Sequence, residues 1–303
     1  MKNSLDAALK RFARTLLRIE QSDLPSFKKT FFDEIDRIAE LIEISPEPER
    51  NREEFFRLCG VVDQSLLHGR TRQKPLGYSG DFLLLDWIYT QKTSESGIGK
   101  LYDELFHTYE ASRAVRNRKE YFNRLCNTLA EEKRADIEVL NLGCGSCREV
   151  VEAVSSRANG YVYRFHCVDH ESLAIEYARK ILSGSEAEPY VDLECSNIFR
   201  FRPKKTYDLI WSAGLFDYLD DRAASLLVKR CWPHLRPGGW FIFGNFSRLN
   251  PTRRGMELVG KWYLLHRSAD DLIGIVEKAG IPYGKLEVDT EPLGINLFCK
   301  IQK

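Results

Sequence analysis

Residues 138–150 read EVLNLGCGSCREV, and this stretch decides how the rest of the chain is understood. Val139, Leu140 and Leu142 are strand formers, residues 143–146 are small, and a helical pattern opens at Arg148. A strand passed through glycines to a helix N-terminus is where a backbone can turn tightly and approach a nucleotide-like ligand. Two positions depart from the commonest version of this loop. Asn141 stands where an acid is usual, and Cys147 where a third glycine is usual.

Working outward, short β-rich runs follow at YRFHCVD (163–169), YVDLEC (190–195), YDLIWSA (207–213) and GWFIFGNF (239–246). Helical patterns separate them, as in ESLAIEYARKIL (171–182) and RAASLLVKRCWPHL (222–235). Strands alternating with helices predict an α/β fold with a parallel sheet covered on both faces. The tail, DDLIGIVEKAGI (270–281), KLEVDT (285–290) and GINLFCKIQ (294–302), reads helix, strand, strand.

Upstream the texture is helical, with apolar residues at three- and four-residue steps: Leu5, Ala8, Phe12, Leu16, Ile19, then Phe31, Ile35, Ile38, Ile42. A third helix is expected over 52–69, ending at Gly69, followed by a loop over 70–81 and a helix over 82–91. One long helix is expected over 101–132. The chain therefore divides into a helical N-terminal domain, 1–130, acting as a lid that keeps water from the reacting centre, and a sheet domain, 131–303.

At 303 residues, 43% hydrophobic and 29% charged, the chain has the composition of a soluble globular protein. A formal net charge of +1 gives no global field for a polyanion, so no nucleic-acid partner is expected. No run approaches the roughly 20 apolar residues that a membrane span requires. Eight cysteines are scattered, and the single close pair, Cys144 and Cys147, lacks the second pair or histidines of a zinc site. No metal is expected, and a reducing, cytoplasmic setting is.

The residues around the loop choose its ligand. Asp169, at the tip of the second strand with His170 beside it, offers a carboxylate to both hydroxyls of a ribose. A dinucleotide would place pyrophosphate at the helix N-terminus, where Glu149 repels it; the ammonium of a methionine moiety would be attracted there. Gly143, Cys144 and Gly145 form the close approach. Asn197 can meet an adenine edge, with Ile198 packing on the ring, and Ser212, Ala213 and Gly214 leave room at the end of the fourth strand. The reading is a site for S-adenosyl-L-methionine. Arg118 is the candidate fork for its carboxylate.

From about 135 onward, the glycine loop, the second-strand acid, YDLIWSAGLFDYL and LRPGGWF in this order resemble class I S-adenosylmethionine-dependent methyltransferases. That resemblance implies a Rossmann-like seven-stranded sheet whose last strand runs antiparallel. Further stretches, PLGYSGDFLLLDWIY, SRAVRNRKEYF, NLGCGSCREV, SAGLFDYL and GNF, resemble the bacterial methyltransferases that make 3-hydroxy fatty acid methyl ester signals, the extracellular factor enzymes. It implies that Asn141 is a subfamily variation and that Glu149 takes over charge recognition.

The acceptor is expected to be a small molecule. Tyr78, Asp81, Asp217 and His266 are the candidate catalytic groups, and Phe216, Tyr218, Asn245, Trp262, Tyr263 and Arg267 the candidate substrate contacts. Carboxyl O-methylation of a hydroxy acid leads, because a carboxylate is ionised at neutral pH and needs no base. N-methylation of an amine or guanidino compound, a non-catalytic scaffold and a dehydrogenase remain open, and so does a homodimer.

Overall fold

The structure is a computed structural model and describes residues 2–157 and 160–303. The chain falls into two compact units, one of Met1–Arg113 with Asn250–Tyr263, the other of Ala114–Leu249 with Leu264–Lys303. The segment after the fifth strand thus belongs to the helical unit.

The helical unit contains α1 (Lys2–Leu16), α2 (Leu24–Glu43), α3 (Pro48–Leu58), α4 (Leu66–Gln73), α5 (Phe82–Tyr89), α6 (Gly97–Thr108), the first turn of α7 (Glu110–Lys133), and α11 (Arg253–Gly260). Asp23 caps α2 by accepting from the Ser26 N–H at 3.0 Å, and Pro25 pre-sets its first turn. The apolar stripe then buries Phe27, Phe31, Ile35, Ile38 and Ile42. Phe12 of α1 stacks on Phe55 of α3 with ring centroids 5.1 Å apart and lies 5.6 Å from Phe31.

Two helix boundaries differ from expectation, each for a tertiary reason. The expected helix over 101–132 breaks at Tyr109, whose ψ of 139° is extended. There the phenol meets His68 Nε2 at 3.0 Å and the ring stacks on Phe106, 5.2 Å away. The expected helix over 52–69 ends at Leu58, passes through 3-10 turns over Cys59–Gln64, and restarts at α4 under a Ser65 cap. Gly69 lies inside α4 and does not end it. A Cβ at Gly69 would stand 2.8 Å from the Asp63 carbonyl oxygen, so the glycine marks close approach.

The second unit is one seven-stranded sheet, β1 (Ile137–Leu142), β2 (Tyr163–Asp169), β3 (Val191–Cys195), β4 (Tyr207–Ser212), β5 (Leu235–Phe246), β6 (Lys285–Thr290) and β7 (Asn296–Gln302). Their order is β3-β2-β1-β4-β5-β7-β6. The first five are parallel, and β7 runs antiparallel to both of its neighbours. This is the α/β, Rossmann-like sheet that the sequence implied. The central strands β1 and β4 are buried almost throughout, which is why apolar residues dominate them. One face packs on α7, α8 (Arg148–Ser155) and α9 (Ser172–Leu182) through Phe122, Val150 and Ile175. The other packs on α10 (Asp221–Cys231) and α12 (Ala269–Ala279) through Leu227 and Leu272.

The Pro-Gly-Gly stretch lies within β5. Pairing with β4 begins at Leu235, slips, and resumes at Trp240, with Gly238 at φ 77° inside the bulge. Strand order reverses between β1 and β4, and there an open parallel sheet opens its ligand crevice.

Candidate functional site

The loop at the tip of β1 hangs from β2. Gly143 and Cys144 both donate their N–H to the Val168 carbonyl, at 2.8 and 3.2 Å. Gly143, Gly145 and Cys147 have φ of 70°, 53° and 56°, so the position where a third glycine is usual keeps a glycine-like backbone although a cysteine fills it. A left-handed conformation costs an L-residue roughly 1–2 kcal/mol. Burial offsets that: Cys144, Cys147 and Cys167 lie together in one buried hydrophobic cluster. All eight cysteines are free thiols. We expect Cys147→Gly to stay within about 1 kcal/mol of the native protein, since strain relief and the lost thiol packing oppose each other. Cys147→Val, β-branched at positive φ, should lose roughly 2–4 kcal/mol. Urea unfolding of the two variants checks this; equal stability would contradict it.

Asp169 is almost wholly buried and its carboxylate organises three groups. It accepts from the Gly145 N–H at 2.9 Å and the Glu171 N–H at 3.0 Å, and pairs with His170 Nδ1 at 3.4 Å. That bond raises the His170 pKa. Asn197 is exposed, and its Oδ1 accepts the Phe199 N–H at 2.9 Å in an Asx turn. Ile198 is half-buried against the core that holds Val168.

Glu149 occupies the first turn of α8 and is buried. Its Oε1 accepts from Asn141 Nδ2 at 3.1 Å. Burial raises the Glu149 pKa, opposed by the Asn141 amide, its own backbone N–H, and the charges of Arg118 and Lys119. Arg118 is buried, and its guanidinium lies 3.2–3.3 Å from where a Cβ on Gly214 would stand. With φ at 92°, Gly214 is required twice over, by conformation and by space. Ser212 is buried, its hydroxyl donating to the Leu142 carbonyl at 2.9 Å, which ties the tips of β4 and β1; Ala213 is half-buried.

Beyond β4 the polar residues are engaged with one another. Asp217 accepts the Phe246 N–H at 2.7 Å; burial pushes its carboxyl up to about 6, with that N–H, Arg118 and Arg267 pulling the other way. Asn245 donates to the carbonyls of Phe246 and Leu265 and accepts from Arg267 Nη1 at 2.7 Å. Arg267 also donates to the carbonyls of Phe216 and Leu219 and to Asp221. Phe216 is wholly buried, stacked 4.1 Å from Phe243. His266 is buried, with Nδ1 3.1 Å from the Leu264 carbonyl oxygen, and Tyr218 is exposed.

In the helical unit, Asp81 caps α5 through the Leu83 and Leu84 N–H groups and pairs with Arg70 at 2.8 Å; Tyr78 precedes it, half-buried. Trp262 is buried, whereas Tyr263 is exposed beside Arg52, Arg253 and Glu257. Asn141 was marked by sequence as an oddity; its amide contact with Glu149, eight residues on, leaves no periodic signal. Among the described residues no cluster of three or more His, Cys, Asp or Glu side chains is placed to hold a metal ion, and no helix is long and apolar enough to cross a membrane.

Residues 139–239, from β1 into β5, match the methyltransferase domain family. No curated protein matches the chain. Among solved structures, a possible exported protein from Bordetella parapertussis is similar over 99% of this chain and 96% of its own, with a TM-score of 0.62 and 17% identity. The S-adenosylmethionine-dependent methyltransferase SibL is similar over 92% of this chain and 76% of its own, with a TM-score of 0.52 and 17% identity. The sheet unit therefore has the Rossmann-like fold of methyltransferases, and residues 139–239 within it are similar to the methyltransferase domain family.

Proposed function

We propose that the protein transfers the methyl group of S-adenosyl-L-methionine to the carboxylate of a small acid, a hydroxy acid by its resemblance to the fatty acid methyl ester enzymes. The observation that carries the cofactor assignment is the presence of two buried acids, Asp169 at the tip of β2 and Glu149 in the first turn of α8, on either side of a loop with left-handed glycines. Asp169 suits a ribose diol, Glu149 an ammonium, and the guanidinium of Arg118 a carboxylate. The bound cofactor supplies an electrophilic methyl carbon whose sulfur leaves with the bonding electron pair.

The chain's own work is placement. Gly143 and Gly214 admit the ligand to the backbone, Asn197 and Ile198 flank the adenine, and the acceptor is held in line with the breaking bond. Carboxyl methylation is favoured by the engagement of Asp217 and His266 with backbone partners, because a nucleophile that arrives ionised requires no base from either. The test is a screen of acids and amines with a radiolabelled methyl donor. An ester releases its label as methanol in mild alkali, and an N-methyl product retains it. Alkali-stable label would replace the carboxyl reading with N-methylation. No thermal shift with S-adenosylmethionine or S-adenosylhomocysteine would remove the methyltransferase reading altogether.

A further inference from the structure

We propose that Asn141 and Glu149 form one unit, in which a carboxylate carried by α8 is set at the tip of β1 to hold the cofactor's ammonium group, with Asn141 as the positioning residue. The inference rests on the cofactor reading above and adds how the charge is placed. Asn141 is the last residue but one of β1, buried, and its amide donates to Glu149 Oε1 at 3.1 Å. The negative charge therefore lies one hydrogen bond from where an acid at residue 141 would put it.

The surrounding charges agree. In this corner Lys119 pairs with Glu152 at 2.7 Å and Arg267 with Asp221 at 2.8 Å. The charge of Arg118 favours the ionised forms of both Glu149 and Asp217. Lys119 makes its ion pair with Glu152, while Glu149 accepts its hydrogen bond from the neutral Asn141 amide. An amide at 141 favours the ionised form of Glu149 against the effect of burial, whereas a second carboxylate there would oppose it.

The test moves the charge. Affinities for S-adenosylhomocysteine and for 5′-methylthioadenosine, which shares the adenosyl part but has no amino acid, are measured by calorimetry. Glu149→Gln should weaken S-adenosylhomocysteine about tenfold or more and leave methylthioadenosine unchanged, as expected for one charge-assisted contact. The double variant Asn141→Asp/Glu149→Gln, which puts the acid on the strand, should recover S-adenosylhomocysteine to within about threefold of the native protein. Asn141→Leu, similar in volume but with no donor, should weaken S-adenosylhomocysteine alone, and it decides the matter if the double variant binds neither ligand. A double variant that binds methylthioadenosine normally but S-adenosylhomocysteine no better than Glu149→Gln would overturn the proposal. So would loss of both ligands in parallel in Asn141→Leu. Native protein that binds neither compound would instead sink the cofactor reading itself.

Discussion

Replacing Arg267 by alanine is expected to cost about 3–5 kcal/mol of folding stability, because it removes a buried donor from several protein acceptors. The Arg267 side chain is 5% exposed and every nitrogen of its guanidinium is engaged. Nη1 donates to Phe216 O at 2.8 Å and Asn245 Oδ1 at 2.7 Å; Nη2 donates to Leu219 O at 2.6 Å and Asp221 Oδ1 at 2.8 Å; Nε reaches the same Asp221 oxygen at 3.1 Å. Truncation takes the donor from the Leu219 carbonyl and the Asn245 amide oxygen, each costing roughly 1–3 kcal/mol when buried without one, and leaves the Phe216 carbonyl with the Leu219 N–H at 3.3 Å. Arg267→Lys supplies one compact ammonium for a planar fork and should lose about 2 kcal/mol. Urea unfolding at 25 °C measures both, and a loss below about 1 kcal/mol for the alanine variant would contradict the clamp. The same geometry makes a further commitment. The guanidinium faces the protein, so folded Arg267→Lys should keep cofactor affinity within about threefold.

Arg267 also shows where sequence reasoning stops. Its position in the stretch that follows the fifth strand placed it among substrate contacts, yet its partners come from three separate segments: the turn after β4, the first residue of α10 and the end of β5. Nothing in the order of residues announces a meeting of that kind. The strands were legible because buried parallel strands are rich in apolar residues, as Val139, Leu140 and Leu142 of β1 and Leu209, Ile210 and Trp211 of β4 are. The glycine loop was legible because left-handed backbone selects residue type strongly. Cys147 is the instructive case, since the backbone adopts φ 56° there without glycine once its thiol packs with those of Cys144 and Cys167. Helix ends were less legible. Periodicity runs unbroken through Tyr109, and only the burial of its ring and its bond to His68 break the helix. Asp169 was read correctly as the acid at the tip of β2, but its hold on Gly145 could come only from the fold.

That hold shapes what should follow when Asp169 is replaced. Asp169→Ala is expected to weaken S-adenosylhomocysteine roughly a hundredfold, the sum of two charge-assisted hydrogen bonds to the ribose at about 1.5 kcal/mol each. A carboxylate has lone pairs for about four hydrogen bonds, so its bonds to the Gly145 and Glu171 N–H groups at 2.9 and 3.0 Å leave room for a diol. The alanine variant also frees the Gly145 N–H, and a stability loss of about 1–2 kcal/mol should accompany the affinity loss. Asp169→Asn separates the two effects. Its single carbonyl oxygen can keep one backbone bond, while its NH2 faces the other N–H donor, so affinity should fall between the native and alanine proteins. Ligand choice makes the assignment specific. Methylthioadenosine contains the ribose and should weaken in step with S-adenosylhomocysteine in both Asp169 variants, whereas the Glu149 variants should spare it. Calorimetry on folded Asp169→Ala that returned native affinity would leave the acid as a brace for the loop and take the ribose contact away from it.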